Sequence, residues 1–340
     1  MKHAYLQPLP FKDLLSAGEF DADTLRAVLA TAAQTKAEPR SFDGMLAGRV
    51  AALVFEKPSL RTRVSFEAGV ARMGGHPIYY DMGGTRLGER ESVRDFAGTL
   101  ERMVDLIVVR THAHAPLLDL ARHARVPVIN ALCERFHPCQ ALADVMTIKE
   151  VFGDVRGVKV AYVGDGNNVC QSLALLACTL GAHVAVVTPE GYEPEAAVTA
   201  EARARADASG GSIAVTTDPA AVAGADVVYT DTWVSMGDEA EKTKRAAAFA
   251  RMRVDAAMMA KASPRAVFMH CLPAKRGQEV TDGVIDSPVS VVFDQAENRM
   301  HAQNALMLHL LCAGREQPKK RGAAVIPTRR AREVGASGPR

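Results

Sequence analysis

Residues Ser59-Leu60-Arg61-Thr62-Arg63 set two hydroxyls and two guanidiniums side by side. They follow the apolar run Val50–Phe55 and stand where a helix opens. Backbone N–H groups at a helix start favour an anion, and guanidinium forks match phosphate oxygens. The segment therefore reads as a phosphate site; the plainer alternative is a solvated helix start with surface arginines. Arg110, Asp165, Asp231 and His270 each stand at the end of an apolar run. In open α/β sheets ligands sit beyond the carboxyl ends of the strands, which makes all four candidates for one site. Asp231 opens the loop Asp231-Thr232-Trp233-Val234-Ser235-Met236-Gly237. A carboxylate there suits an ammonium group. Gly237 marks a turn able to move, and the charged run from Asp238 to Arg245 reads as solvated.

His137-Pro138-Cys139-Gln140 precedes another helix. A histidine can donate to a carbonyl oxygen and a glutamine can accept from an amide. Gly164-Asp165-Gly166-Asn167-Asn168-Val169 has the strand, glycines and helix of a dinucleotide loop, with Glu190 near the place of a ribose partner. Val169 stands where the third glycine belongs, which weakens that reading without removing it. In His270-Cys271-Leu272-Pro273 an extended chain turns His270 away from Cys271, so an activated thiolate is not expected. Cys133, His137 and Cys139 are close in sequence, but no second close pair completes a tetrahedral set, and no metal is expected.

The elements that must carry these residues alternate. Leu25, Val28, Leu29 and Ala32 predict a helix over 22–37, with Asp21 or Asp23 as its cap. Strands are predicted at 50–55, 106–109, 127–130, 158–163, 183–187, 225–230, 266–270 and 289–293. Helices are predicted at 65–73, 117–123, 141–151, 169–180, 195–208 and 304–312. This order implies α/β architecture with parallel strands and crossover helices, and a boundary between two similar halves near 133–151.

The chain has 340 residues, enough for two domains of about 150 residues. Hydrophobic residues make up 48%, which fits a packed core rather than a disordered chain. No run of 18 apolar residues is present, so no membrane span is expected. The start lacks a signal or transit pattern, with Asp13, Glu19 and Asp21 among its first residues, and predicts a cytoplasmic protein. The six cysteines are too sparse for a disulfide scaffold. Between Gln317 and Arg340 seven Lys or Arg face Glu333, so this tail holds about +6 of charge and the remainder about −4. A body of that charge gives no reason to expect a nucleic-acid partner. Residues 315–340 are expected to be a disordered basic tail.

Five segments, taken together and in order, resemble the carbamoyltransferases, most closely those that act on ornithine. They are Phe55–Arg63, His137–Gln140, Asp231–Gly237, His270–Pro273 and Glu297-Asn298-Arg299. The resemblance runs from about Leu14 to Leu311. It implies two doubly wound parallel-sheet domains linked by helices, with the active site in the cleft between them. Residues 1–140 would bind carbamoyl phosphate, joined by a C-terminal helix at 300–314, and residues 141–299 would bind ornithine. Ser59, Arg61 and Thr62 would hold the phosphate, with the backbone at Leu60. Arg110 and His137 would grip the carbamoyl carbonyl, Gln140 its amide, and Arg299 would be a second donor. Asn168, Asp231, Ser235 and Met236 would take the amino-acid head group, and Cys271 and Leu272 would border the attacking amine. Leu60 replaces a threonine common in the family, at a position that contributes mainly backbone.

The resemblance also implies a homotrimer or a multiple of trimers, in which a loop of the adjacent chain reaches the phosphate. Tyr79–Arg86 matches that loop, with Arg86 where the family often has glutamine or histidine. The alternative is an exposed arginine paired with Glu89 or Glu91. The implied reaction needs no metal or organic cofactor and belongs to arginine biosynthesis or, in the opposite direction, to citrulline breakdown. Related enzymes acting on putrescine or an acylated ornithine are the rival readings. Asn168 and Asp231 speak against both, since they offer partners to a free amino-acid head group.

Overall fold

A computed structural model describes residues 6–234 and 239–312. The first half holds α1 (Ala22–Ala37), β1 (Val50–Phe55), α2 (Leu60–Arg72), β2 (His76–Asp81), α3 (Val93–Leu100), β3 (Leu106–Arg110), α4 (His114–His123) and β4 (Val128–Leu132). Then follow α5 (Pro138–Phe152), β5 (Lys159–Val163), α6 (Asn168–Thr179), β6 (His183–Val187), α7 (Ala196–Ser209), β7 (Ser212–Thr216) and β8 (Val227–Thr230). The chain closes with α8 (Lys242–Ala248), α9 (Ala256–Met259), β9 (Val267–His270), α10 (Asp282–Ile285) and α11 (Val292–Cys312). The strands form two all-parallel sheets, ordered β2-β1-β3-β4 and β7-β6-β5-β8-β9.

Central strands β1 and β3 are near-continuous apolar runs because both of their faces are covered. Burying each Leu, Val or Phe there contributes roughly 1.5–3 kcal/mol. Register carries this packing to the functional end: Phe55 pairs with Arg110, and Thr230 with His270. Helix α5 starts with Pro138 at a position that needs no N–H partner, and ends at Gly153 with φ 84°. It packs on β4 and α6, while α11 packs on α5, α1, α2 and β9, so this pair joins the halves. One apolar core runs from Leu25 and Phe55 through Leu142 to Tyr162 and Leu176. Among the described residues no helix is long and apolar enough to cross a membrane.

Six of these elements, β2, α3, β7 and the short helices α8, α9 and α10, were not foreseen from sequence, and one was assigned wrongly. Strands β2 and β7 lie at sheet edges and are partly exposed, so their apolar runs are broken; Pro77 is tolerated at such an edge. Helix α3 is short and sits in a charged stretch. The expected strand at 289–293 is a single bridge from Ser290 to Phe268, after which α11 begins at Val292. Helix α11 therefore starts twelve residues before the expected 304. Its first turns hide Gln295, Asn298 and Arg299 inside the protein, and this buried polar face masks the apolar period. The tail expected at 315–340 lies outside the described residues.

Candidate active site

A cleft of about 670 Å³ opens at the carboxyl ends of β1, β3, β5, β8 and β9. It collects Ser59, Leu60, Arg61, Thr62, Arg110, His137 and Gln140 from the first half and the start of α5. Across from them it collects Asn168, Asp231, Cys271, Leu272 and Arg299. Ser235 and Met236 lie outside the described residues. Arg86 is exposed and does not line this cleft; its backbone N–H, not its guanidinium, meets Glu89 at 2.9 Å.

At one end, Ser59 caps α2 by accepting from the Thr62 N–H. Its hydroxyl also donates to Thr62 Oγ1 at 3.1 Å. Arg61 is half-buried and enters the cleft. Arg63, read from sequence as a second phosphate ligand, turns away instead. It pairs with Glu67 at 3.0 Å and stacks over Tyr79, because it stands two positions past Arg61, about 200° around the helix, on the outer face. Lys57 takes its place in the cleft, a residue within the motif that sequence reasoning did not assign.

In the middle, Arg299 donates to Gln140 Oε1 at 2.7 Å and to Thr62 Oγ1 at 3.1 Å. Arg110, His137 and Arg299 are all buried. Arg110 Nε, His137 Nδ1 and Arg299 Nε have no hydrogen-bond partner among the described residues. Leaving such a group unpaired costs roughly 1–3 kcal/mol, so three in one place mark a site built to meet a polar ligand. Burial pushes Arg110 down to about 10, helped by the nearby charges of Arg299 and Arg61. Lys57, Arg61 and Arg299 are lowered too, chiefly by burial. Burial and the guanidiniums hold His137 well below the ordinary histidine range, so it stays neutral. Cations that repel one another in a partly dry cleft are matched by an anion.

At the far end, Asp231 accepts from Asn167 Nδ2, the Thr232 N–H and the Cys271 thiol at 2.7–2.9 Å. Asn168 donates to the Cys133 carbonyl at 2.6 Å. Burial and Asp231 push the Cys271 thiol well above its usual range, so it is no thiolate nucleophile. Asp231, His270 and Cys271 converge closely enough to hold a metal. However, His270 Nδ1 accepts the Leu272 N–H at 2.8 Å and Nε2 meets Glu279 at 3.2 Å, so the imidazole has no free lone pair. The same Leu272 N–H contact holds that residue at φ 57°, a backbone region most side chains avoid.

The dinucleotide reading does not survive. Asn167 Oδ1 occupies the Val169 and Cys170 N–H groups that would receive a pyrophosphate. Gly166 is needed because a Cβ there would lie 2.2 Å from Pro194 N. The charged run 238–245 is not wholly solvated either. Arg245 folds back to pair with Asp165 at 2.6 Å and to donate to the Trp233 carbonyl at 3.1 Å.

Known proteins match this arrangement closely. The carbamoyl-P binding domain model of the aspartate/ornithine carbamoyltransferases matches residues 12–150, and their Asp/Orn binding domain model matches 156–310. An ornithine carbamoyltransferase of Methanoculleus marisnigri is 45% identical over 305 residues, covering 89% of this chain and 97% of that protein. An anabolic ornithine carbamoyltransferase of Pyrococcus furiosus is 49% identical over 302 residues, covering 87% and 95%. A solved ornithine carbamoyltransferase structure from Pyrococcus furiosus superposes with a TM-score of 0.85 at 49% identity, covering 88% of this chain and 96% of that one. With both domain models matched in order over the residues that build the cleft, the chain belongs to the aspartate/ornithine carbamoyltransferase family.

Proposed function

We propose that this cleft transfers the carbamoyl group of carbamoyl phosphate to the side-chain amine of L-ornithine, giving L-citrulline and phosphate. The observation that carries the reading is the set of unpaired buried nitrogens on Arg110, His137 and Arg299, beside the cationic start of α2. Ser59, Arg61, Thr62 and the backbone at Leu60 bind the phosphate. Arg110, His137 and Arg299 donate to the carbamoyl oxygen, and Gln140 accepts from the carbamoyl nitrogen. Asn168 and Asp231 take the α-amino and α-carboxylate end of ornithine, with Ser235 and Met236. Cys271 and Leu272 border the attacking amine. Residues 1–140 with the end of α11 form the carbamoyl-phosphate unit, and 141–299 the ornithine unit.

The neutral amine attacks the carbonyl carbon, and negative charge develops on its oxygen. Donors already aimed at that point lower the barrier, and holding two substrates together supplies much of the remainder. The new C–N bond forms as the C–O bond to phosphate breaks. Burial and the nearby guanidiniums leave His137 too weak a base to take the amine's proton, and the Cys271 thiol stays protonated and donates to Asp231, so neither takes it. The departing phosphate takes it and leaves as the hydrogen phosphate dianion.

The working assembly is a homotrimer or a multiple of trimers in the cytoplasm, with Arg86 reaching the phosphate of an adjacent chain. Its exposure outside its own cleft supports this, as do the exposed apolar Leu60 and Val64 on α2 and Ile78 and Tyr80 on β2. Citrulline formation serves arginine biosynthesis, in line with the anabolic name of the Pyrococcus furiosus relative. Calorimetric titration tests the site. Carbamoyl phosphate should bind the free enzyme once per chain, and Arg61→Ala should weaken it about 100-fold or more, as for loss of a charged phosphate contact. Equal affinity in both proteins would remove Arg61 from the phosphate site.

A further inference from the structure

Asp144 lies one turn beyond Gln140 on α5 and is fully buried. Its Oδ1 accepts from Gln140 Nε2 at 2.8 Å and from Gln295 Nε2 at 2.7 Å. Its Oδ2 accepts the Tyr229 hydroxyl at 3.3 Å. An ionised carboxylate accepts only, so both amides must turn their NH₂ groups toward it. Their oxygens are thereby aimed elsewhere. Gln140 Oε1 faces Arg299 and the cleft. Gln295 Oε1 accepts the His270 N–H at 2.9 Å, at the end of β9 just before Cys271. Tyr229 stands two residues before Asp231. One carboxylate thus ties α5, α11, β8 and β9 at the level of the site.

We propose that Asp144 is a positioning residue for the transfer: it locks the Gln140 amide with its oxygen toward the carbamoyl nitrogen and, through Gln295, holds the strand end that carries Cys271. This rests on the assignment of Gln140 to the carbamoyl nitrogen. It has a consequence for selectivity. A locked oxygen rewards an –NH₂ donor and gives nothing to a methyl group of similar size, so the site separates carbamoyl phosphate from acetyl phosphate. Released from Asp144, the amide NH₂ loses its acceptor, and only the Arg299 contact at 2.7 Å is left to orient its oxygen. Burial holds Asp144 up to about 7, against the lowering effect of its donors and of Arg299, so it is ionised in moderately alkaline solution.

The test measures dissociation constants for carbamoyl phosphate and acetyl phosphate, without ornithine, on the full-length enzyme. In Asp144→Ala the preference for carbamoyl phosphate should fall about tenfold, one hydrogen bond's worth, with acetyl phosphate affinity almost unchanged. Turnover should fall further than phosphate affinity does. Asp144→Asn keeps an acceptor oxygen and should recover most of the preference. Should the alanine variant not fold, Asp144→Ser carries the same expectation. Gln140→Ala separates the two levels of the claim. If it keeps the preference, the assignment of Gln140 is wrong. If it loses the preference while Asp144→Ala and Asp144→Ser keep it, Asp144 only supports the fold and the proposal is overturned.

Discussion

Arg299 donates to Thr62 Oγ1 at 3.1 Å, joining α11 to the first turn of α2 across 237 positions of sequence. Its other terminal nitrogen holds Gln140 at 2.7 Å. A single planar group therefore sets the distance between the first turn of α2 and Gln140 at the start of α5.

A lysine cannot serve both partners at once, since it lacks the rigid fork. Arg299→Lys should keep the fold but lower turnover by about 10²–10³-fold, the scale of losing a donor to a developing oxyanion. Steady-state kinetics with a matched thermal melt checks this. Turnover within a factor of a few of the parent would show that charge alone suffices there.

Arg86 should act across a subunit boundary. Arg86→Ala is expected to raise KM for carbamoyl phosphate more than KM for ornithine. Mixing it with Arg61→Ala should restore part of the lost activity, because a hybrid assembly contains a site with both residues intact. Absence of recovery, with subunit exchange verified by mass, would assign Arg86 to its own chain or to none.

Rate should rise with pH from 7 to about 9, because an amine with a pKa of roughly 10 must lose its proton before attack. His137 is held well below the ordinary histidine range and Cys271 well above the thiol range, so neither imposes a step in that window. A rate that falls steadily over this range, in a protein that stays folded, contradicts attack by the neutral amine.

Asp144 should leave a mark on stability. Its folded pKa of about 7 stands above the ~3.9 of an unfolded aspartate. Between these values the folded chain keeps a proton that the unfolded chain releases, so stability from this group falls as pH rises through that window. Asp144→Asn does not titrate. Its Tm relative to the parent should therefore climb between pH 5 and pH 8. A constant difference would mean that Asp144 is ionised throughout.

Much of this site was legible because its residues sit at strand ends and helix starts, where charge has few structural uses. Arg110, Asp231 and the Ser59–Thr62 turn are of that kind. Arg63 misled, because spacing within a motif does not tell which side of a helix faces the ligand until the helix is placed. Asp144 and Gln295 were missed for the opposite reason. Each sits among residues whose pattern looks structural, and only the meeting of α5, α11 and β8 turns a buried carboxylate into a hub. Arg245 went unseen as a partner of Asp165 because a run of charges reads as solvent-facing when its return path is unknown.

The central claim is the identity of the acceptor, and a ureido-product assay on the purified enzyme tests it most directly. Carbamoyl phosphate is supplied with ornithine, putrescine or acetylornithine at matched concentration, and kcat/KM is compared. Asp231 and Asn168 line the cleft, and on the proposed reading they take a free amino-acid head group, so ornithine should lead the other two by about 100-fold or more, the scale of leaving buried polar groups unpaired. A kcat/KM for putrescine or acetylornithine equal to or above that for ornithine would contradict the account.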